Sequence, residues 1–192
     1  MVEAFATYQD LELRLNRTFT VAEQPWITSL LEDASTYLRD DVLGLQVFPQ
    51  ATSTFTAWPE GGRVDLPQAP VVSVGAVVQE GVTLVADEGY TRRDNTLYFH
   101  SDKPVTITFT YGYLTAPESL RRWTCVLVSQ ALLPLEQSLG LTAGGLSSIA
   151  IDDFKAAWAD AGAESGITLS DRNIALLREQ FGSRLSWVVG SR

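Results

Sequence analysis

The hydrophobic period of this chain changes twice, and that change constrains the fold more than any other feature. Between about residues 53 and 113, β-branched and aromatic residues alternate with polar ones, whereas on either side apolar residues return every third or fourth position. A strand face requires a period of two and a helix face one of 3.6, so the middle segment cannot continue the helices that flank it. The expected fold class is therefore α+β: a bundle of about three to four helices with an antiparallel β subdomain inserted between the N-terminal helices and a long central helix. The clearest strand is Val105-Thr106-Ile107-Thr108-Phe109-Thr110-Tyr111, with Val, Ile, Phe and Tyr on one face. Further strands are expected over residues 53–58, 71–79, 82–85, 90–93 and 96–100. Pro59-Glu60-Gly61-Gly62, Glu80-Gly81, Asp94-Asn95 and Ser101-Asp102-Lys103-Pro104 mark the turns.

Four clear helices and one weak one, over 153–161, are expected outside this block. Thr7 followed by Asp10 forms a capping box for a short helix over residues 8–14, with Tyr8, Leu11 and Leu15 apolar. Ile27, Leu30, Leu31, Ala34 and Leu38 define a second helix over 21–41, leaving Glu32, Asp33, Asp40 and Asp41 outside the apolar stripe. Its start is open between a Thr20–Glu23 box and a first turn holding Pro25; the earlier start is the one expected. Thr115-Ala116-Pro117-Glu118 opens the longest helix, over 117–139, with Leu120, Trp123, Leu127, Ala131 and Leu135 as its stripe, Val128 and Leu132 widening it, Pro134 kinking its last turn and Gly140 ending it. After a Gly- and Ser-rich stretch over 140–148 and a short helix over 153–161, a last helix over 171–181 is capped by Ser170 or Thr168, lined by Ile174, Leu177 and Phe181, and stopped at Gly182. The expected domains are thus a helical bundle from 1–50 and 114–182, a β subdomain from 51–113, and a tail from 183–192.

A search for chemistry yields little. His100 is the only histidine and Cys125 the only cysteine, so neither a triad nor a multi-histidine metal site has enough members, and Cys125 falls in an apolar helical pattern. The carboxylates of Asp152 and Asp153 are adjacent and diverge, where acid–base pairs converge from separate backbones. Gly144-Gly145 lacks the lysine of a phosphate loop. No catalytic residue, cofactor or metal is expected, and the chain is read as non-enzymatic. With 45% hydrophobic and 19% charged residues it has the composition of a compact protein, and no apolar run approaches the length of a membrane span. The N-terminus shows no secretory pattern, so a soluble cytoplasmic product without membrane partners is expected.

The net charge of −9 argues against gripping nucleic acid through its phosphates, although it leaves room for a surface that DNA slides past. The acidity is uneven. Residues 1–50 carry 8 acidic and 3 basic side chains, whereas from Arg172 onward four arginines face one acid, Glu179. The tail Leu185-Ser186-Trp187-Val188-Val189 gathers large apolar side chains at a chain end. Such a cluster needs something to dock against, whether a partner or its own domain.

The order of these elements resembles the head-to-tail connector and adaptor (head completion) proteins of long-tailed bacteriophages, particularly those of actinobacterial phages. The resemblance is carried by Leu30-Leu31-Glu32-Asp33-Ala34-Ser35-Thr36-Tyr37-Leu38-Arg39, Leu66-Pro67-Gln68-Ala69-Pro70-Val71-Val72-Ser73-Val74, the run from Val105 through Tyr111-Gly112-Tyr113 to Pro117, and Ile149-Ala150-Ile151-Asp152-Asp153-Phe154. Arginine outnumbers lysine 12 to 2, which suits GC-rich genomes. The resemblance implies a virion protein at the head–tail interface, assembled in the host cytoplasm into a ring of about twelve copies beneath the portal. Its partners would be the portal, a neck or tail-completion protein, itself, and double-stranded DNA passing through without sequence recognition. On this reading Glu32, Asp33, Asp40 and Asp41 line the channel, and Arg178, Arg184, Leu185, Trp187, Val188 and Val189 dock on the portal. The alternative on the same residues is a tail-completion or other virion structural protein.

Overall fold

The computed structural model describes residues 3–138 and 168–182. It is an α+β fold with antiparallel sheets. The chain divides into two compact units: a helical one, Met1–Val42 with Ala116–Leu177, and a β-rich one, Leu43–Thr115 with the chain from Arg178 onward.

In the helical unit, α1 (Tyr8–Leu15) begins at the expected capping box. The Thr7 hydroxyl accepts from the Asp10 N–H at 3.3 Å while the Asp10 carboxylate accepts from the Thr7 N–H at 2.9 Å, and the helix ends on left-handed Asn16. Leu11 is fully buried, with Tyr8 and Leu15 beside it half-buried. Helix α2 runs Gln24–Tyr37, so the earlier start was wrong. The Thr20 hydroxyl donates to the Glu23 carboxylate instead of accepting from a helical amide, and closes a turn ahead of the helix. The Glu23 carboxylate also accepts from the Thr20 N–H and from Arg17 at 2.7 Å. Burial pushes the Glu23 carboxyl up, but these bonds outweigh it and hold the group below its ordinary value.

The end of α2 also departs from expectation: from Leu38 to Leu43 the chain winds as a π-helix. Leu38, Arg39, Val42 and Leu43 are buried while Asp40 and Asp41 are exposed. Buried Val42 and Leu43 follow buried Leu38 and Arg39 at four residues, so the inward stripe of α2 carries on through this segment. Helix α3 (Glu118–Ser138) starts after Pro117, whose carbonyl accepts from the Arg121 N–H, and continues through Pro134. Leu120, Leu127, Val128, Ala131 and Leu132 are buried as expected, but Thr124 and Cys125 take the place assigned to Trp123, which is half-buried with Arg122 stacked 5.2 Å over its ring. Thr124 reaches the interior because its hydroxyl donates to the Leu120 carbonyl. Gly140 and the expected 153–161 helix lie outside the described residues.

The β-rich unit holds two sheets. The first has the order β1-β7-β3-β4, from β1 (Ala51–Ala57), β3 (Val71–Gln79), β4 (Val82–Thr83) and β7 (Val105–Tyr111). The second has the order β2-β6-β5, from β2 (Arg63–Asp65), β5 (Tyr90–Arg93) and β6 (Thr96–Phe99). Strand β2 is the one element without a sequence signal, because three residues are too few to show a period. Strand β7 alternates as expected: Val105, Ile107, Phe109 and Tyr111 face the core with Val64, Leu97 and Phe99. On its other face Thr106, Thr108 and Thr110 pair across to Thr56, Thr54 and Thr52, their hydroxyls 2.8–3.0 Å apart. Helix α4 (Asp171–Phe181) starts after Ser170, whose carbonyl accepts from the Asn173 and Ile174 N–H groups, and stops at left-handed Gly182. Leu177 and Phe181 are buried, and the Phe181 ring meets Tyr113 edge-on.

Strand β7 is turned by Gly112, which has φ +86° and whose missing Cβ would sit 3.1–3.2 Å from the Pro49 and Val47 carbonyl oxygens. Its N–H donates to Pro70 and that of Tyr113 to Val47, so the turn ties β7 to two other segments. Gly112→Ala should therefore cost about 1–3 kcal/mol, read as a lowered denaturation midpoint. For Glu23 the sign of the pH dependence follows from its depressed carboxyl. Its contribution is present above the unfolded value near 4.5 and is lost as pH falls through the lower folded value. Acid titration of Glu23→Gln against the parent should thus converge at low pH and diverge above about pH 5; parallel curves would contradict it.

Candidate functional site

The helical unit concentrates its unusual electrostatics on one column of α2 and the π segment. Leu31, Ser35 and Arg39 stand four residues apart and are all buried. The Ser35 hydroxyl donates to the Leu31 carbonyl at 2.6 Å and accepts from the Phe5 N–H at 2.9 Å. Arg39 donates to the Glu3 carbonyl at 3.0 Å, and its guanidinium lies 4.8 Å above the Phe5 ring. Residues 3–6 are thereby strapped over the helix. Burial pulls the Arg39 guanidinium below its usual range, with the Asp40 carboxylate opposing that pull. The expected channel acids surround this column: Glu32 and Asp33 are half-buried on α2, and Asp40 and Asp41 are exposed on the π segment. Glu32 also borders a shallow cavity of about 490 Å³ against Glu3, Thr7 and Gln9. The buried guanidinium, held by the Glu3 carbonyl and the Phe5 ring, anchors the segment that displays Asp40 and Asp41.

In the β-rich unit a groove of about 570 Å³ runs along β2 and the 66–69 segment, with Leu45, Leu66, Pro67 and Ala69 as apolar walls and Gly182 at its border. Its charges are matched internally. Arg63 grips both Asp65 oxygens at 2.9 Å and the Thr96 hydroxyl donates to Asp65 at 2.6 Å. Burial raises the Asp65 carboxyl, but these bonds prevail and leave it below its ordinary value. Trp58, 71% exposed, borders a second cleft of about 400 Å³ with Phe55 and Val64.

The remaining expected residues are placed as follows. Arg178 is half-buried in α4, and Arg184, Leu185, Trp187, Val188 and Val189 lie outside the described residues, as do Gly144, Gly145, Asp152 and Asp153. His100 is exposed after β6. Outside that set, the adjacent arginines are engaged within the chain: Arg92 donates to the Val71 and Asp94 carbonyls, Arg93 stacks on Tyr98, and Arg121 pairs with Glu118 and Asp10. No group of three or more metal-ligating side chains occurs among the described residues, and no helix among them is long and apolar enough to cross a membrane. Cys125 is buried, and that burial pushes its thiol up to about 11, against the weaker opposing pull of Arg14. Sequence reasoning missed Arg39 and the groove. The first was detectable in its four-residue spacing from Leu31 and Ser35; the second is assembled from distant segments and had no local signal.

No family model matches the chain, and no curated protein matches it. Among solved structures, a chain in the neck of an empty gene transfer agent (GTA) particle, computed with C6 symmetry, aligns over 80% of this chain and 94% of its own, at 18% identity and a TM-score of 0.41. A chain from the neck of the native GTA particle, computed with C12 symmetry, covers the same shares at 16% and 0.35. A chain from the virion of the native particle covers 88% of this chain and all of its own, at 19% and 0.41. Overlap at this level leaves the function to be argued from the chain itself.

Two outcomes are expected. Arg39→Ala should destabilise the protein by about 2–3 kcal/mol through the lost bond to Glu3 and the lost stacking on Phe5, and Arg39→Lys should recover only part of this; equal stability of Arg39→Ala and parent would remove the strap from the account. Cys125 should resist thiol reagents at pH 8 in the folded protein and react fully once the chain is unfolded in urea.

Proposed function

We propose that this protein is a structural head-to-tail adaptor of a tailed phage or phage-like particle. It forms a ring beneath the portal that extends the DNA channel and offers a platform to neck or tail proteins. The observation that carries the reading is the order of elements: a helical start, a β insertion, and a long helix entered through Tyr111-Gly112-Tyr113 and Pro117, as in the adaptor family that the sequence resembles. The acid distribution supports it. Asp40 and Asp41 are exposed on the π segment, with Glu32 and Asp33 half-buried about two turns earlier. Carboxylates facing a lumen repel the DNA backbone, so that the duplex passes without sticking. A ring of about twelve copies, closed by heterologous contacts, would multiply that charge. In this reading Arg178, Arg184, Leu185, Trp187, Val188 and Val189 provide the portal-docking surface. The role requires neither catalysis nor a cofactor.

Imaging of purified particles tests the reading. A ring of this chain between portal and tail, with Asp40 and Asp41 facing the lumen, is the expected result. Density for it elsewhere on the particle, or none, would overturn the adaptor role. Deleting residues 183–192 should abolish attachment of the ring to the portal in reconstitution; attachment at parental levels would take the tail out of the docking surface.

A further inference from the structure

The groove along β2 borders the point where the described chain stops. Gly182 lines it beside Leu45, and ten residues follow, among them Leu185, Trp187 and Val189. We infer that in the free subunit this groove is occupied by the protein's own tail, with Leu185, Trp187 and Val189 as the apolar anchors.

Four observations carry this. First, reach: Leu185 is three residues beyond Gly182, about 10 Å of extended chain, and Val189 is within about 25 Å. Second, pattern: Leu185, Trp187 and Val189 are spaced by two, so an extended tail presents all three on one face, and β2 is one of the two edge strands of its sheet. Third, room and polarity: about 570 Å³ lies within the roughly 300–1,000 Å³ of pockets that take an occupant. Because Asp65 is already satisfied by Arg63 and Thr96, apolar side chains can enter without stranding a charge. Fourth, tethering: a segment joined to the groove by a few residues has an effective concentration on the order of millimolar, which outcompetes the tails of other copies at micromolar protein. An exposed cluster of a tryptophan and three aliphatic side chains is otherwise an aggregation liability. The inference concerns the subunit before it meets a partner, so it stands or falls independently of the ring.

Cross-linking tests it directly. In the double variant Pro67→Cys with Val188→Cys, which spares all three anchors, a short bismaleimide at micromolar protein should join the two positions within one chain in most molecules. Native Cys125, being buried, stays out of the reaction. Links joining two chains would replace the inference with a swapped tail, and failure to link would overturn it. Hydrogen exchange gives a second reading that needs no substitution. Leu66, whose N–H donates to the Asn95 carbonyl at the groove wall, should exchange about tenfold faster when residues 183–192 are deleted. Unchanged exchange at Leu66 and Thr96, with the far-ultraviolet spectrum intact, would rule out occupancy by the tail.

Discussion

Strand β7 is the constraint on which the β-rich unit depends. It pairs along its whole length with β1 and, across two irregularities in register, with β3, while Val105, Ile107 and Phe109 are completely buried. Because side chains alternate strictly along a strand, a slip of one residue would expose these three and bury Thr106, Thr108 and Thr110 instead. In the observed register each threonine faces the hydroxyl of a threonine on β1, and all three pairs form, which a slip of one residue would break. Core and surface thus select the same pairing. Gly112, at φ +86°, then bends the strand's end so closely against residues 47–50 that a Cβ there would press on the Val47 and Pro49 carbonyls.

The helical unit solves a different problem. It must bury an arginine while displaying carboxylates a residue away. Along the π segment Leu38, Arg39, Val42 and Leu43 are buried, while Asp40 and Asp41 stay exposed. The buried guanidinium is held by a backbone carbonyl and an aromatic face near the chain's start, and this ties residues 3–6 to α2. Like charges crowded on a helix end favour fraying, and the anchored arginine opposes it.

The groove of the β-rich unit has apolar walls in Leu45, Leu66, Pro67 and Ala69, and its charges are already matched, because the Asp65 carboxylate is held by Arg63 and by the Thr96 hydroxyl. Apolar surface and a satisfied carboxylate therefore lie side by side without an unpaired charge between them.

What the sequence determined by itself was the class and most of the elements: the capping box before α1, the alternation of β7, the Pro and Gly punctuation around α3 and α4, and the scarcity of chemistry-bearing residues. These are local properties, written in period and capping chemistry within a few residues of one another. Only the tertiary structure decided that α2 begins at Gln24, that its end widens into a π turn, that Thr124 and Cys125 displace Trp123 from the buried face, and that three residues after Gly62 form a strand. It alone brought Phe5 under Arg39, and Leu45, Leu66 and Gly182 around one groove. Each of those outcomes depends on contacts between segments far apart in the chain, where packing and the satisfaction of buried polar groups outweigh local preference.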